Sequence, residues 1–263
     1  MKIATWKDLS KAMDQVNMVI EVLDSRDPWT TRSDKLERMA EEKGKKLILV
    51  INKSDLVPRS VLEEWKKLFD FMGLKSTYVS ARERLGTLRL RRFIKREAPE
   101  LPAKALIAGY PKVGKSSIIN VLKGRSSAST SPIPGNPGYT RHFQLYRIDS
   151  KLYILDSPGI VPAEGNPIEI AIRGVPPEEM KNPIEVATRL LERALKVDPS
   201  SVWRAYKIDE RDPIKVLESL AVKRGWVREG EPDVDEAARQ VIRDYHRAKL
   251  TFYVTPRDHG LEY

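Results

Sequence analysis

Residues Gly109-Tyr110-Pro111-Lys112-Val113-Gly114-Lys115-Ser116 carry the spacing GxxxxGKS. Between a strand and a helix this pattern curls backbone N–H groups around phosphates, where the positive end of the helix also favours anions. Gly114 allows close approach, Lys115 would neutralise charge on the β- and γ-phosphates, and Ser116 would offer its hydroxyl to Mg²⁺. Pro111, Lys112, Val113 and Ser117 complete the expected cradle. Downstream, Asp156-Ser157-Pro158-Gly159 reads as DxxG, with the Asp156 carboxylate in reach of the Mg²⁺ shell and the Gly159 N–H facing the γ-phosphate. Thr140, between the two motifs, can add a hydroxyl to Mg²⁺ when a triphosphate is bound; the alternative is an ordinary loop threonine. Lys115, Thr140 and Gly159 are the residues expected to act on the reacting phosphate.

A second constellation selects the base. Asn52-Lys53-Ser54-Asp55 has the NKxD pattern, followed by Ser80-Ala81-Arg82. An aspartate such as Asp55 accepts two hydrogen bonds from the guanine N1–H and exocyclic amine, whereas adenine would leave that carboxylate unsatisfied. Asn52 would orient the loop and touch the purine edge, the Lys53 stem would lie over the ring, and the Ala81 N–H would meet the guanine carbonyl oxygen. The expected ligands are GTP and GDP with Mg²⁺. The base-reading motifs precede the phosphate loop, the reverse of the usual order in a GTPase.

With these motifs laid out, the chain resembles the circularly permuted GTPases of the YlqF/RbgA ribosome-assembly family. The resemblance runs through Asp24-Ser25-Arg26-Asp27-Pro28, close to that family's DARxP motif, then NKSD, SAR, GYPKVGKSS, PGYT and DSPGI. It continues more softly into Gly230-Glu231-Pro232-Asp233 and the segment holding Ala237-Ala238-Arg239 and Arg243-Asp244-Tyr245. It implies GTP hydrolysis coupled to ribosome assembly, with rRNA and the large subunit or its precursor as partners. Small-subunit relatives often carry a cysteine-ligated zinc module, which a chain without cysteine cannot form.

Three departures bear on that implication. Ile160 stands where many GTPases place a water-orienting glutamine, so unassisted hydrolysis should be slow, with help from a ribosomal partner or another residue. Lys112 stands where potassium-stimulated relatives carry asparagine; its ammonium replaces the ion, predicting little potassium stimulation, or it simply faces solvent. No histidine precedes Val16, so the assisting histidine proposed for bacterial relatives has no counterpart there. His142 is the one histidine near the motifs, with a surface role as the other reading.

These residues need elements to hold them. Met18 to Leu23, Lys46 to Ile51 and Ser76 to Val79 are short, β-branched-rich runs between segments of helical spacing, which predicts parallel strands. Ala103 to Ala108 leads into the glycine loop, Ser117 to Leu122 reads as helix, and Phe143 to Ile148 with Leu152 to Leu155 read as a hairpin. The fold class is therefore α/β: a circularly permuted P-loop GTPase with a mostly parallel six-stranded sheet, followed by a small α-helical domain. Residues 1-164 form the expected GTPase domain. Residues 165-263, with helices from Pro183 to Lys196, Asp212 to Arg224 and Asp233 to Leu250, form an expected RNA- or ribosome-binding domain.

Of the 263 residues, 41% are hydrophobic, enough for a sizeable core, and no apolar run is long enough to span a bilayer. A cytoplasmic monomer without membrane contact is expected. The net charge is +10, and residues 1-164 hold 30 Lys and Arg against 19 Asp and Glu. Such an excess favours a polyanion, RNA rather than DNA here, although a highly charged surface also suits a heat-adapted protein.

Arg82, Arg84, Arg89, Arg91, Arg92, Lys95 and Arg96 crowd one segment. If helical, residues 85, 88, 92 and 93 would pack while the arginines meet phosphates, or merely solvent. A second basic face, with Arg239, Arg243, Arg247 and Lys249, would grip rRNA by shape and phosphate contacts. Trp203, Trp226 and Tyr206 are read as core. The alternative reading is a GTP-regulated RNA-binding module whose hydrolysis is incidental; an RNA-modifying GTPase lacks room for a further catalytic domain.

Overall fold

The computed structural model describes residues 5–124, 143–157 and 165–262. The chain forms two compact units, Met1–Pro162 together with Thr255–Tyr263, and Ala163–Val254.

The first unit runs α1 (Trp6–Met13), β1 (Met18–Asp24), α2 (Asp34–Glu42), β2 (Lys46–Asn52), α3 (Arg59–Phe71), β3 (Ser76–Tyr78), α4 (Thr87–Glu97), β4 (Ala103–Ala108), α5 (Lys115–Lys123), β5 (Gln144–Asp149) and β6 (Leu152–Asp156). The six strands order as β3-β2-β1-β4-β6-β5, all parallel except β5, which forms the antiparallel hairpin with β6. Every residue of β1 is buried, as befits a strand covered on both faces. Leu9 and Met13 of α1 close over Val19, Leu36, Leu106 and Leu155 in one apolar cluster. The strand order reverses between β1 and β4, so the carboxyl ends of β1, β2, β4 and β6 meet at a crevice suited to a ligand.

The second unit contains α6 (Pro167–Ile172), α7 (Pro183–Val197), α8 (Ser201–Tyr206), α9 (Pro213–Arg224), a short hairpin of β7 (Val227–Arg228) and β8 (Glu231–Pro232), and α10 (Val234–His246). Asn166, Asn182, Asp212 and Asp233 cap four of these helices with side-chain oxygens, and proline opens three of them. Leu190, Leu191, Leu217, Leu220, Val241 and Ile242 lie at its centre. The expected helix to Leu250 stops at His246, because Ala248 takes φ +60° and the Leu250 N–H turns back to the Asp244 carbonyl. No helix among the described residues is long and apolar enough to cross a membrane.

The expected second domain extended to the end of the chain, whereas Thr255–Tyr263 belongs to the first unit. A short 3-10 helix, Pro256–His259, brings His259 Nε2 to 2.9 Å from Asp27 Oδ1, with Trp65 of α3 at its edge.

Three surface expectations change. In α4 the packed residues are Leu90, Phe93 and Ile94, while Leu85 and Leu88 are exposed and Arg92 faces solvent. The helix starts at Thr87, so Leu85 lies outside it, and the buried stripe runs through Leu90, Phe93 and Ile94 at i, i+3 and i+4. Several of its cations are held within the fold: Arg89 donates to the Tyr78 carbonyl, Arg91 to the Leu122 carbonyl, and Lys95 pairs with Asp149. In α10, Arg239 is held by Asp235 and the Pro177 carbonyl, and Arg243 by Glu178 and Glu236. Trp203 is half exposed, while Tyr206 is buried and Trp226 packs on the core as expected.

Candidate active site

Each motif sits where a strand ends. β2 ends at Asn52, Lys53 turns into the left-handed region at φ +63°, and a 3-10 turn, Ser54–Leu56, carries Asp55. The Asn52 amide is the joint of the site: its Nδ2 donates to the Val113 carbonyl at 2.9 Å and its Oδ1 accepts the Ala81 N–H at 3.1 Å. One buried side chain thus ties the phosphate loop to the base-reading loop. The Ala81 N–H, expected to face a guanine carbonyl, is here engaged with Asn52.

Ser80 is fully buried and donates from Oγ to Asp55 Oδ1 at 2.5 Å, while the Glu83 N–H donates back to Ser80 Oγ. This relay fixes the exposed Asp55 carboxylate at the rim. Arg82, next to it, points to solvent beside Glu83.

Lys53, expected to lie over a base, donates from Nζ to Asp24 Oδ2 at 2.7 Å. Asp24 is also gripped by Arg26, with Nε to Oδ1 at 3.0 Å and a guanidinium nitrogen to Oδ2 at 2.7 Å. Burial opposes ionisation of Asp24, yet the flanking Arg26 and Lys53 cations outweigh it and hold the carboxyl well below its ordinary range. Ser25 Oγ donates to the Lys53 carbonyl, so the strand-end segment Asp24-Ser25-Arg26 braces the NKxD turn at two points. Sequence reasoning used that segment only as a family marker; its charge pattern at a strand end was the available signal.

The phosphate loop leaves β4 at Gly109, where φ is +139° and a Cβ would lie 2.6 Å from the Val22 carbonyl oxygen of β1. At Gly114 φ is +100° and a Cβ would lie 2.2 Å from Asn52 Nδ2, so the glycine is required by the joint as well as by the turn. Pro111 and Val113 line the loop, Lys112 is exposed at φ +63°, and Ser116 and Ser117 present exposed hydroxyls in the first turn of α5. No side chain caps that helix.

Lys115 is buried, with its ammonium donating to the Gly109 and Tyr110 carbonyls at 2.7 and 2.8 Å. Burial lowers its pKa to about 8 against the pull of Asp156. Asp156, at the end of β6, is pushed up to about 6 by burial despite Lys115 and Lys123. The Ser157 hydroxyl pins this strand end to the Ile107 carbonyl. A half-buried carboxylate in electrostatic reach of Lys115, together with the Ser116 hydroxyl in the first turn of an uncapped helix, is a donor set that fits Mg²⁺ carried with phosphates. Thr140, His142, Gly159 and Ile160 lie outside the described residues.

Comparison with known proteins places the chain in a family. The profile of the RsgA GTPase family matches residues 7–165. An uncharacterized GTP-binding protein, MJ1464 of Methanocaldococcus jannaschii, is 36% identical over 257 residues, covering 96% of this chain and 67% of that protein. Nucleolar GTP-binding protein 2 of Neurospora crassa is 35% identical over 94% of the chain, and nuclear/nucleolar GTPase 2 of Oryza sativa 31% over 97%. The chain spans only 41% and 49% of the length of those two relatives. Among solved structures, GNP-bound YlqF from T. maritima superposes with a TM-score of 0.69 at 23% identity, covering 95% of this chain and 97% of that one. The GDP-bound form gives 0.67 at 24% identity, over 95% and 99%. Both share the circularly permuted fold. With its base-reading motifs ahead of its phosphate loop, the chain belongs to the RsgA GTPase family.

Proposed function

We propose that the protein binds GTP, hydrolyses it slowly, and acts as a monomeric cytoplasmic factor in assembly of the large ribosomal subunit, its nucleotide state controlling its hold on rRNA. The observation that carries this reading is the Asn52 joint, which brings a carboxylate suited to guanine and an ammonium suited to phosphate to one crevice. The names of the nucleolar relatives and the match to YlqF support the assembly role.

In this reading Asp55 accepts from guanine, Asn52 and Ala81 shape the base pocket, and Lys53 flanks it. Residues 111–117 cradle the phosphates, with Lys115 leaving its carbonyl partners for the β- and γ-phosphates. Ser116, Asp156 and Thr140 would hold Mg²⁺, which supplies charge neutralisation at the transferring phosphoryl group. Gly159 senses the γ-phosphate. Because residues 156–159 lead directly into the second unit, loss of that phosphate would loosen the connection and release the bound RNA.

Co-sedimentation with ribosomal subunits and their precursors tests partner and switch together. Large-subunit particles should retain the protein with a non-hydrolysable GTP analogue and release it with GDP, and should accelerate hydrolysis. Equal retention in both nucleotides, or small-subunit binding alone, would sink this function.

A further inference from the structure

A groove of about 850 Å³ runs along the open edge of β3, between α3 and α4. Its three carboxylates are already engaged: Glu63 accepts from the Tyr78 hydroxyl, Asp70 pairs with Lys66, and Glu97 pairs with Arg96. Lys75, Arg89 and Arg92 also line it, and none of the three has a carboxylate partner among the described residues. Arg89 donates to the neutral Tyr78 carbonyl and lies 4.2 Å over the Tyr78 ring. The groove therefore carries a surplus of positive charge beside apolar surface.

The placement of the cations selects the ligand. Arg89, Arg92 and Arg96 follow one another along one face of α4, and a rise of about 1.5 Å per residue sets them roughly 4.5 and 6 Å apart along the axis. A row of cations suits a strand whose phosphates recur at short regular intervals better than it suits a single anion. The Arg89 guanidinium over the half-buried Tyr78 ring, and the exposed Arg96 guanidinium over Phe93, present flat guanidinium faces of the kind on which bases stack. Addition of a peptide strand to β3 is disfavoured, because Arg89 already occupies the Tyr78 carbonyl.

We propose that this groove is a binding site for a single-stranded segment of RNA, held by Lys75, Arg89 and Arg92 through phosphates. This rests on the proposed reading that the protein works on RNA and names where it makes contact. Fluorescence anisotropy with a short labelled uridine-rich RNA, across a salt series, provides the test, with GDP affinity as the check on folding. Lys75→Glu and Arg92→Glu should each weaken binding about tenfold or more and reduce the log–log salt slope by about 1. Lys7→Glu, an equal charge change on α1, should have little effect.

Groove variants that bind RNA like the unaltered protein while that protein binds well would overturn the groove alone. An equal loss in Lys7→Glu would do the same by assigning the effect to overall charge. Competition by polyglutamate as strong as that by unlabelled RNA would replace the occupant with an acidic protein segment, and competition by single-stranded DNA equal to RNA would remove the RNA assignment. No RNA binding by the unaltered protein would remove this site, while the co-sedimentation outcome decides the proposed function separately.

Discussion

Asn52 joins two loops through one amide, and its consequences can be separated from those of its neighbour Asp55. Asp55→Ala removes the proposed acceptor for guanine while leaving the joint intact. GTP affinity should fall on the order of a hundredfold, about 3 kcal/mol, with weak ATP binding unchanged, as read by calorimetry. Asp24 has the opposite profile: Asp24→Asn leaves Arg26 and Lys53 partly or fully buried without their counter-charge. Removing one partner from such a cluster costs about 3–5 kcal/mol, so thermal unfolding should shift sharply downward. Lys53→Met should cost less, since the Asp24–Arg26 pair survives.

Glu21 shows how a single buried charge sets a pH response. It lies fully buried in β1, accepts the Ser33 N–H at 2.7 Å, and is raised well above the usual carboxylate range by burial, with the nearby Glu37 adding to the effect. A carboxyl whose folded pKa lies above its unfolded value near 4.5 costs nothing below that value; the cost grows as pH rises and is complete above the folded pKa. Glu21→Gln should therefore raise the melting temperature at about pH 8 and leave it unchanged at about pH 4.

At the scale of elements, the strand ends explain why the motifs work out of their usual order. Five parallel strands deliver their carboxyl ends to one crevice whatever the order of the chain, and a loop swap between strands leaves that crevice intact. Gly114 is the tightest point of this arrangement. Gly114→Ala would drive a methyl into the Asn52 amide and strain a positive φ. It should destabilise the protein by about 1–3 kcal/mol and cut GTP affinity more than tenfold, measured by thermal unfolding and calorimetry.

The strands and the phosphate loop were legible in the sequence because apolar, β-branched-rich runs such as Lys46-Leu47-Ile48-Leu49-Val50-Ile51 and glycine spacing are local signals. The face of α4 was not, because Leu85 lies before the helix and Leu88, Leu90, Phe93 and Ile94 admit more than one apolar stripe at helical spacing. Arg91, Arg239 and Arg243 likewise looked free in the sequence, and their partners, Leu122, Pro177 and Glu178, lie far along the chain. The Asp24–Lys53 brace and the Asp27–His259 contact are long-range pairs of the same kind, and periodicity carries no trace of them.

At the scale of the whole molecule, His259 reaches Asp27 across 232 positions of sequence, closing the first unit with residues that follow the second. His259→Ala deletes a largely buried hydrogen bond. It should lower the stability of the first unit by about 1–3 kcal/mol in chemical denaturation, with the second unit's transition unmoved.

This return also orders the birth of the protein. Chains are made from the amino end and fold piecewise as they emerge. The sheet can pair as soon as its strands are out, but the contact over Asp27 must wait until every helix of the intervening unit has been translated. A nascent chain interrupted anywhere in residues 163–254 thus holds all the described nucleotide motifs yet lacks the final latch on the loop beside Asp24.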